Sequence, residues 1–329
     1  MSVSSLSRHY TGRMMLGLLV AGALAFGDVR AMATDITACG ATIAPGDTGV
    51  LQADLDCSAA PIGVLVLTHG VLDLNGHTIS GGDVTTATVQ GAKKADGTGR
   101  GNFRIVGPGE ISGTGRNYNA PVGTGACVQV HDGRVTISSG TETVDIHGCV
   151  YGILGSAGMT PGGKAHVSLD HVDLHDHVLD GAAVGALDAS DVEATDNGGQ
   201  GLGASKTLKA TNVAARNNLH GHGLFAGTNL RATSVEVTGN YDGAEAWKTL
   251  KVSDATVTGN ALRGVAGTHV IVLNSTITGN VAVDVLSRTM PVVRNTTCGT
   301  SSDFNSMSWH VCGNGSPSGA FVDGGPAPR

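Results

Sequence analysis

A segment of about twenty residues recurs five times in the second half of this chain. That period limits the fold more than any other feature. Ala186-Leu187 to Asn197, Thr207-Leu208 to Asn218, Asn229-Leu230 to Asn240, Thr249-Leu250 to Asn260 and His269-Val270 to Asn280 align on a shared asparagine, and His177 holds the same column one period earlier. Apolar residues alternate within each copy. Leu187/Ala189, Leu208/Ala210, Leu230/Ala232, Leu250/Val252 and Val270/Val272 precede the asparagine by ten and eight positions, and Ala194, Ala215, Val237, Val257 and Ile277 by three. Alternation over so few residues is the period of a strand, not of a helix. A third apolar stretch, such as Gly264-Val265-Ala266, follows each asparagine. Such a unit of three short strands and three turns cannot bury a face alone. Copies stacked about 4.8 Å apart give parallel sheets around one continuous core.

Composition agrees with this reading. The chain has 51 glycines in 329 residues, roughly twice the usual share, and they are expected at the tight corners of a solenoid. Nine prolines without a Gly-X-Y period exclude collagen. A sandwich would lack the twenty-residue column structure. The recurrent asparagine is expected to be a turn residue that takes left-handed φ, with its amide bonding the same amide in the next coil.

These repeats resemble the right-handed parallel β-helix of the pectate-lyase-like superfamily. Cys39-Gly40, Asp54-Leu-Asp-Cys57 and Leu72-Asp-Leu-Asn-Gly-His-Thr-Ile-Ser-Gly81 resemble the opening of secreted bacterial members. The expected fold is therefore an all-β, right-handed parallel β-helix of about ten coils. Its expected domain spans residues 34–306, with 34–82 as N-terminal cap and first coil and 307–329 as C-terminal cap or tail.

Export is expected from the first 33 residues. Arg8 and Arg13 precede a short apolar core from Met14 to Phe26, and Ala31-Met32-Ala33 fits a signal-peptide cleavage site. The core is too short to span a bilayer comfortably. Removal of this segment leaves 20 − 3 = 17 basic and 27 − 1 = 26 acidic residues, a net charge of −9. That disfavours a nucleic-acid partner. The six cysteines (Cys39, Cys57, Cys127, Cys149, Cys298 and Cys312) all follow the segment, suit disulfides in a secreted or periplasmic protein, and are expected to pair with their nearest neighbours.

The resemblance places chemistry on the outer face of the sheet just after the asparagine column. Most segments there are small or apolar, but Gly239-Asn-Tyr-Asp-Gly-Ala-Glu-Ala-Trp-Lys248 is not. Counted from its asparagine, Glu245 falls in the column of Leu202, Val265 and Val285. A buried lone carboxylate is costly. A local register slip is therefore expected, turning Glu245 and Trp247 outward and Ala244 and Ala246 inward. His220 and His222 lie one coil below, Arg263 one coil above, Lys206 and Lys248 at the far end of the sheet, Tyr241 and Asp242 at the near end, and Asp180 lower still. Eliminating across a uronic acid requires neutralising its carboxylate and removing the neighbouring proton. Lys248, Arg263 and Lys206 are candidates to neutralise, and His222, Tyr241 or Lys248 to abstract. Trp247 suits sugar stacking, with Lys206, His220, Asp242 and Asp180 as further substrate contacts. The expected partner is thus a polysaccharide. A glycoside hydrolase pairing Glu245 with Asp242 or Asp180 is the rival enzyme, and a non-catalytic glycan-binding protein the rival class.

On the sheet before the asparagine, Asp145/His147, Asp173/His175, Glu193 and Arg216 share one outer face. His147, His175 and Asp173 are metal-ligand candidates there. No cofactor is demanded by the sequence, although a divalent cation such as Ca²⁺ would suit an acidic substrate. Lys209, Arg231 and Lys251 form one basic outward column. The Asp-Pro-His-Glu signature of mannuronan epimerases and the Trp-x-Asp-His signature of one pectate lyase group are both absent.

Overall fold

The computed structural model describes residues 33–82, 86–92, 101–114, 125–155 and 164–312. The expected signal segment and the stretch 313–329 lie outside them. All regular structure among the described residues is β-strand, wound into a parallel solenoid of about eleven coils. Three sheets run its length. Sheet A takes Ile62–Leu67, Ala87–Ala92, Ala126–Val130, Tyr151–Gly155, His222–Ala226 and Val283–Ser287, plus the opening stretches of Ala182–Thr195, Leu202–Arg216, Asp242–Ser253 and Arg263–Leu273. Sheet B follows it in each coil, with residues 207–211, 229–233, 249–253 and 269–273 in register. Sheet C closes the coil before the next asparagine, for example through 213–216, 235–238, 256–258 and 276–278. Residues 34–82 contribute strands to all three sheets.

The alternation read from the sequence becomes vertical stacks of like residues. Leu202, Leu224, Ala244, Val265 and Val285 pair in turn along sheet A, and none is more than 2% exposed. Each fully buried Leu or Val is worth about 1.5–3 kcal/mol over leaving it in water.

The asparagine column is a buried amide ladder. Asn197 Nδ2 donates to Asn218 Oδ1 (2.9 Å), Asn218 to Asn240 (2.7 Å), Asn240 to Asn260 (3.1 Å) and Asn260 to Asn280 (2.7 Å), and Asn280 donates to Asp284 Oδ1 (2.8 Å). The same oxygens accept the backbone N–H of the ladder residue below. The expected left-handed φ, however, belongs to the preceding residue: Asp176, Asp196, Asn217, Gly239, Gly259 and Gly279 carry it. The corner is turned one position early, which frees the asparagine to point inward. Glycine also has a second role here. A Cβ on Gly223 would lie 2.8 Å from Asn240 Nδ2, and one on Gly264 2.6 Å from Asn280 Nδ2, so these strand positions stay bare to let the ladder pass.

A second left-handed column marks the corner between sheets B and C: His171, Asp191, Asn212, Ser234, Asp254, Asn274 and Asn295. Its side chains also bond coil to coil, as in Asn212 to Asp191 (3.2 Å) and Asn295 to Asn274 (3.2 Å).

His177 begins the ladder, 2% exposed, with Nδ1 accepting the Cys149 N–H. Burial, followed by the neighbouring His175 and His147, depresses its pKa to about 3. Both folded and unfolded chains hold it neutral at pH 7. Below about pH 6.5 only the unfolded chain takes up the proton, so stability falls by about 1.4 kcal/mol per pH unit down to about pH 3. Urea unfolding at pH 7.5 and pH 5 is expected to show about 2 kcal/mol more acid loss for the wild type than for His177→Asn. Equal losses would refute the assignment.

The disulfides join Cys39 to Cys57, Cys127 to Cys149 and Cys298 to Cys312, the nearest-neighbour pairing. The last ties residues up to Cys312, in the segment expected to be a C-terminal cap or tail, onto the final coil, where Trp309 Nε1 donates to Ser287 O (3.1 Å). No helix among the described residues is long and apolar enough to cross a membrane.

Candidate functional site

Glu245 faces outward because one turn is a residue short. Four positions separate Asn240 from Ala244, which enters the inward column, whereas five separate Asn260 from Val265. Glu245 therefore pairs with Phe225 below and Ala266 above, on the outer face, and an irregularity between Ala246 and Thr249 restores the register. Ala244 and Ala246 take the core positions.

Four side chains from three coils then meet. Glu245 Oε2 contacts His222 Nε2 at 3.1 Å and accepts from Arg263 Nη2 at 2.7 Å. Arg263 also grips Asp242 through Nε (2.8 Å) and Nη2 (2.7 Å). Asp242 is 4% exposed. Its burial works to raise the carboxyl pKa, but the hydrogen bonds and charge of Arg263, with His222 behind, outweigh that and hold it below the usual range. The bonds to Asp242 raise the Arg263 pKa in turn, so the guanidinium stays charged. Among the described residues, Glu245 Oε1 and Arg263 Nη1 have no protein hydrogen-bond partner, and His222 Nδ1 is buried without one. Unsatisfied polar groups gathered in one place are characteristic of a ligand site.

An aromatic step adjoins this cluster. Phe225 packs against His222 (centroids 4.9 Å) and meets Trp247 edge to face (5.7 Å, 82°). Trp247 is 58% exposed. Phe225 was not among the sequence candidates. Its signal lay in the column it shares with Glu245, legible only once the short turn after Asn240 and the long turn after Asn218, with six positions to the inward Leu224, are both counted.

The remaining candidates stay at the margins. Tyr241 and His220 stand exposed on the corner before sheet A, and Lys206 and Lys248 on the corner after it, outside the ion-pair network. Asp180 lies two coils below His222 in the same column. Burial pushes its carboxyl pKa up, against the Gln200 N–H (2.7 Å) and the His222 charge.

No family model and no curated protein matches this chain. Its fold is similar to that of two solved structures from Azotobacter vinelandii. One is the A-module of mannuronan C-5 epimerase AlgE4, with a TM-score of 0.49 and 18% identity over 79% of this chain and 81% of that one. The other is the A-module of the epimerase AlgE6, with a TM-score of 0.36 and 16% identity over 78% and 79%. At these values the fold assignment rests on the coil geometry above.

His222, Asp242 and Glu245 each offer one ligand atom within 4.8 Å of the others. Arg263 Nη2 already lies 2.7 Å from both carboxylates, so a divalent cation held by all three would have to displace it. Ca²⁺, which takes six to eight oxygens, fits this mixed set poorly. The other metal candidates are arranged differently again. The His147 and His175 rings stack in parallel (5.0 Å, 6°), so their nitrogens do not aim at one point. Those nitrogens meet Glu110 (3.0 Å), Asp145 (2.9 Å) and Asp176 (2.8 Å) instead. Asp173 stands beside them, its pKa raised by burial and then by Glu193 and Asp145.

Asp242→Asn keeps the shape but removes the charge that seats Arg263. A buried charged donor left without its full partner costs about 1–3 kcal/mol, so the variant is expected to unfold at a lower temperature than the wild type in a calorimetric scan. An unchanged thermal midpoint would show that the seat is dispensable to the fold.

Proposed function

We propose that this chain is a carbohydrate-active β-helix protein that cleaves a uronic-acid-containing glycan by β-elimination, with Glu245 as its acid–base group. One observation carries the reading: Glu245 is pinned through Oε2 by His222 and Arg263, while Oε1 is left without a protein partner beside the exposed Trp247. A fixed carboxylate with one working oxygen, next to a ring that stacks on sugar faces, suits proton transfer at a pyranose. Glu245 Oε1 takes the proton next to the uronate carboxylate. The C4–O bond breaks, a C4=C5 double bond forms, and the proton that Glu245 took is passed to the departing oxygen. Arg263 Nη1 binds the substrate carboxylate and stabilises the charge that develops there. His222 orients Glu245. No step is assigned to a divalent cation.

The hydrolase reading fares worse on geometry. Asp242 has both oxygens committed to Arg263. Asp180 lies three coils from Glu245, about 14 Å at 4.8 Å per coil, beyond the roughly 5–9.5 Å between paired glycosidase carboxyls. Three disulfides support folding in an oxidising compartment, in keeping with secretion or periplasmic export.

The test is absorbance at 235 nm during incubation with a panel of polyuronates. A rise with at least one polymer, lost in Glu245→Gln, is expected. Reducing ends released without that absorbance would favour a hydrolase. Neither signal with any polymer would leave a non-catalytic binding protein as the better reading.

A further inference from the structure

The outer face of sheet B carries a charge pattern that the chain itself does not answer. Lys209, Arg231 and Lys251 pair in register in three successive coils, one above another. Adjacent coils lie about 4.8 Å apart, and like charges placed directly opposite are destabilising. Elsewhere the chain compensates such columns. The acidic stack Glu110–Asp145–Asp173–Glu193 on sheet C is met by His147, His175 and Arg216, and Arg216 is itself held by Glu236 at 2.8 Å. The basic stack has one internal acid, Asp188, at its lower end, 3.4 Å from Lys209 and shared with His166. Arg231 and Lys251 form no ion pair among the described residues. Two more cations, Lys206 and Lys248, stand three positions before Lys209 and Lys251 on the adjoining corner. Five positive charges thus gather over three coils of a chain whose net charge is −7.

The neighbouring columns narrow the partner. Thr207, Asn229 and Thr249 flank the cations on one side, and Thr211, Thr233 and Ser253 on the other, all on the outer face. These are hydroxyl and amide groups that bond sugar hydroxyls. The outward positions of sheet B in these three coils hold no aromatic ring for stacking bases, which single-stranded nucleic-acid sites use.

We propose that this face is a binding track for a linear anionic polysaccharide, running along the solenoid axis and separate from the acid–base cluster on sheet A. The cations take the acidic groups and the hydroxyl rows hold the sugars between them. The track does not require the chain to be catalytic.

Affinity electrophoresis through gels containing polygalacturonate tests it, with neutral dextran and duplex DNA as parallel matrices. The wild type is expected to be retarded by polygalacturonate but not by dextran, and less so as salt rises. Lys209→Gln/Arg231→Gln/Lys251→Gln is expected to bind at least roughly tenfold more weakly with unchanged circular dichroism. Arg231→Glu alone is expected to weaken binding in the same direction. Glu245→Gln is expected to bind polygalacturonate as the wild type does, which separates failure of the track from failure of the acid–base assignment. Wild-type affinity in the triple variant, loss of binding in Glu245→Gln, or stronger retention by DNA than by polygalacturonate would each overturn the proposal.

Discussion

Glu245→Gln is expected to fold normally and to lose 235 nm activity by a factor on the order of 10²–10⁴, the usual contribution of a positioned acid–base group. The substitution keeps the side-chain length and still offers an oxygen to His222 Nε2, now 3.1 Å from Oε2. Arg263 retains both bonds to Asp242, so the guanidinium stays in place and the thermal midpoint changes little. What is lost is the carboxylate that accepts a proton. His222→Ala serves as the comparison. Histidine acts on Glu245 through Oε2 in this arrangement, so its removal is expected to cost less in rate than Glu245→Gln and to displace the pH profile. An Ala variant as inactive as Glu245→Gln with the profile unmoved would make His222 the proton-transfer group instead.

Asn240→Ala is expected to be the most damaging single change to stability. Asn240 is 1% exposed. Its Oδ1 accepts from both Asn218 N (3.0 Å) and Asn218 Nδ2 (2.7 Å), and its Nδ2 donates to Ala215 O (2.9 Å) and Asn260 Oδ1 (3.1 Å). Truncation strands two donors and at least one acceptor in the core, at about 1–3 kcal/mol each. A loss of about 4 kcal/mol corresponds to a fall in thermal midpoint on the order of 10 °C for a chain of this size. Asn240→Asp is expected to do no better: it restores the acceptor but turns the donor into a charged oxygen facing Asn260 Oδ1. Asn229→Ala, exposed on sheet B, is the control and should change the midpoint by no more than a degree or two. Differential scanning calorimetry of the three variants decides the matter. A solenoid is held by nearest-neighbour contacts, so the coils above and below a broken rung are expected to separate into two transitions.

The sequence by itself determined the solenoid, the columns and the chemistry available to each. A twenty-residue period with alternating apolar residues admits few other solutions, because parallel strands in register carry each residue onto its equivalent in the next coil. That is why Lys209, Arg231 and Lys251 fall on one line and the ladder runs through Asn197 to Asn280. The side on which Glu245 emerges was legible from the energetic objection to burying it, since a lone carboxylate cannot sit among Leu202, Val265 and Val285.

Tertiary structure decided the rest, because it depends on differences of one residue in turn length and on the reach of long side chains. The short turn after Asn240, together with a turn one residue longer than usual after Asn218, brings Phe225 beneath Glu245, and the period conceals that pairing. Left-handed φ falls on the residue before each ladder asparagine, since the corner must be complete before an amide can point inward. Arg263 was expected to meet a substrate carboxylate, yet two of its nitrogens already hold Asp242 and Glu245. A guanidinium can reach down a full coil, and a buried carboxylate such as Asp242 cannot remain charged without it. Columns follow from strand pairing over the whole chain. Contacts within a site follow from a few ångströms of side-chain reach, and only the folded coil fixes those.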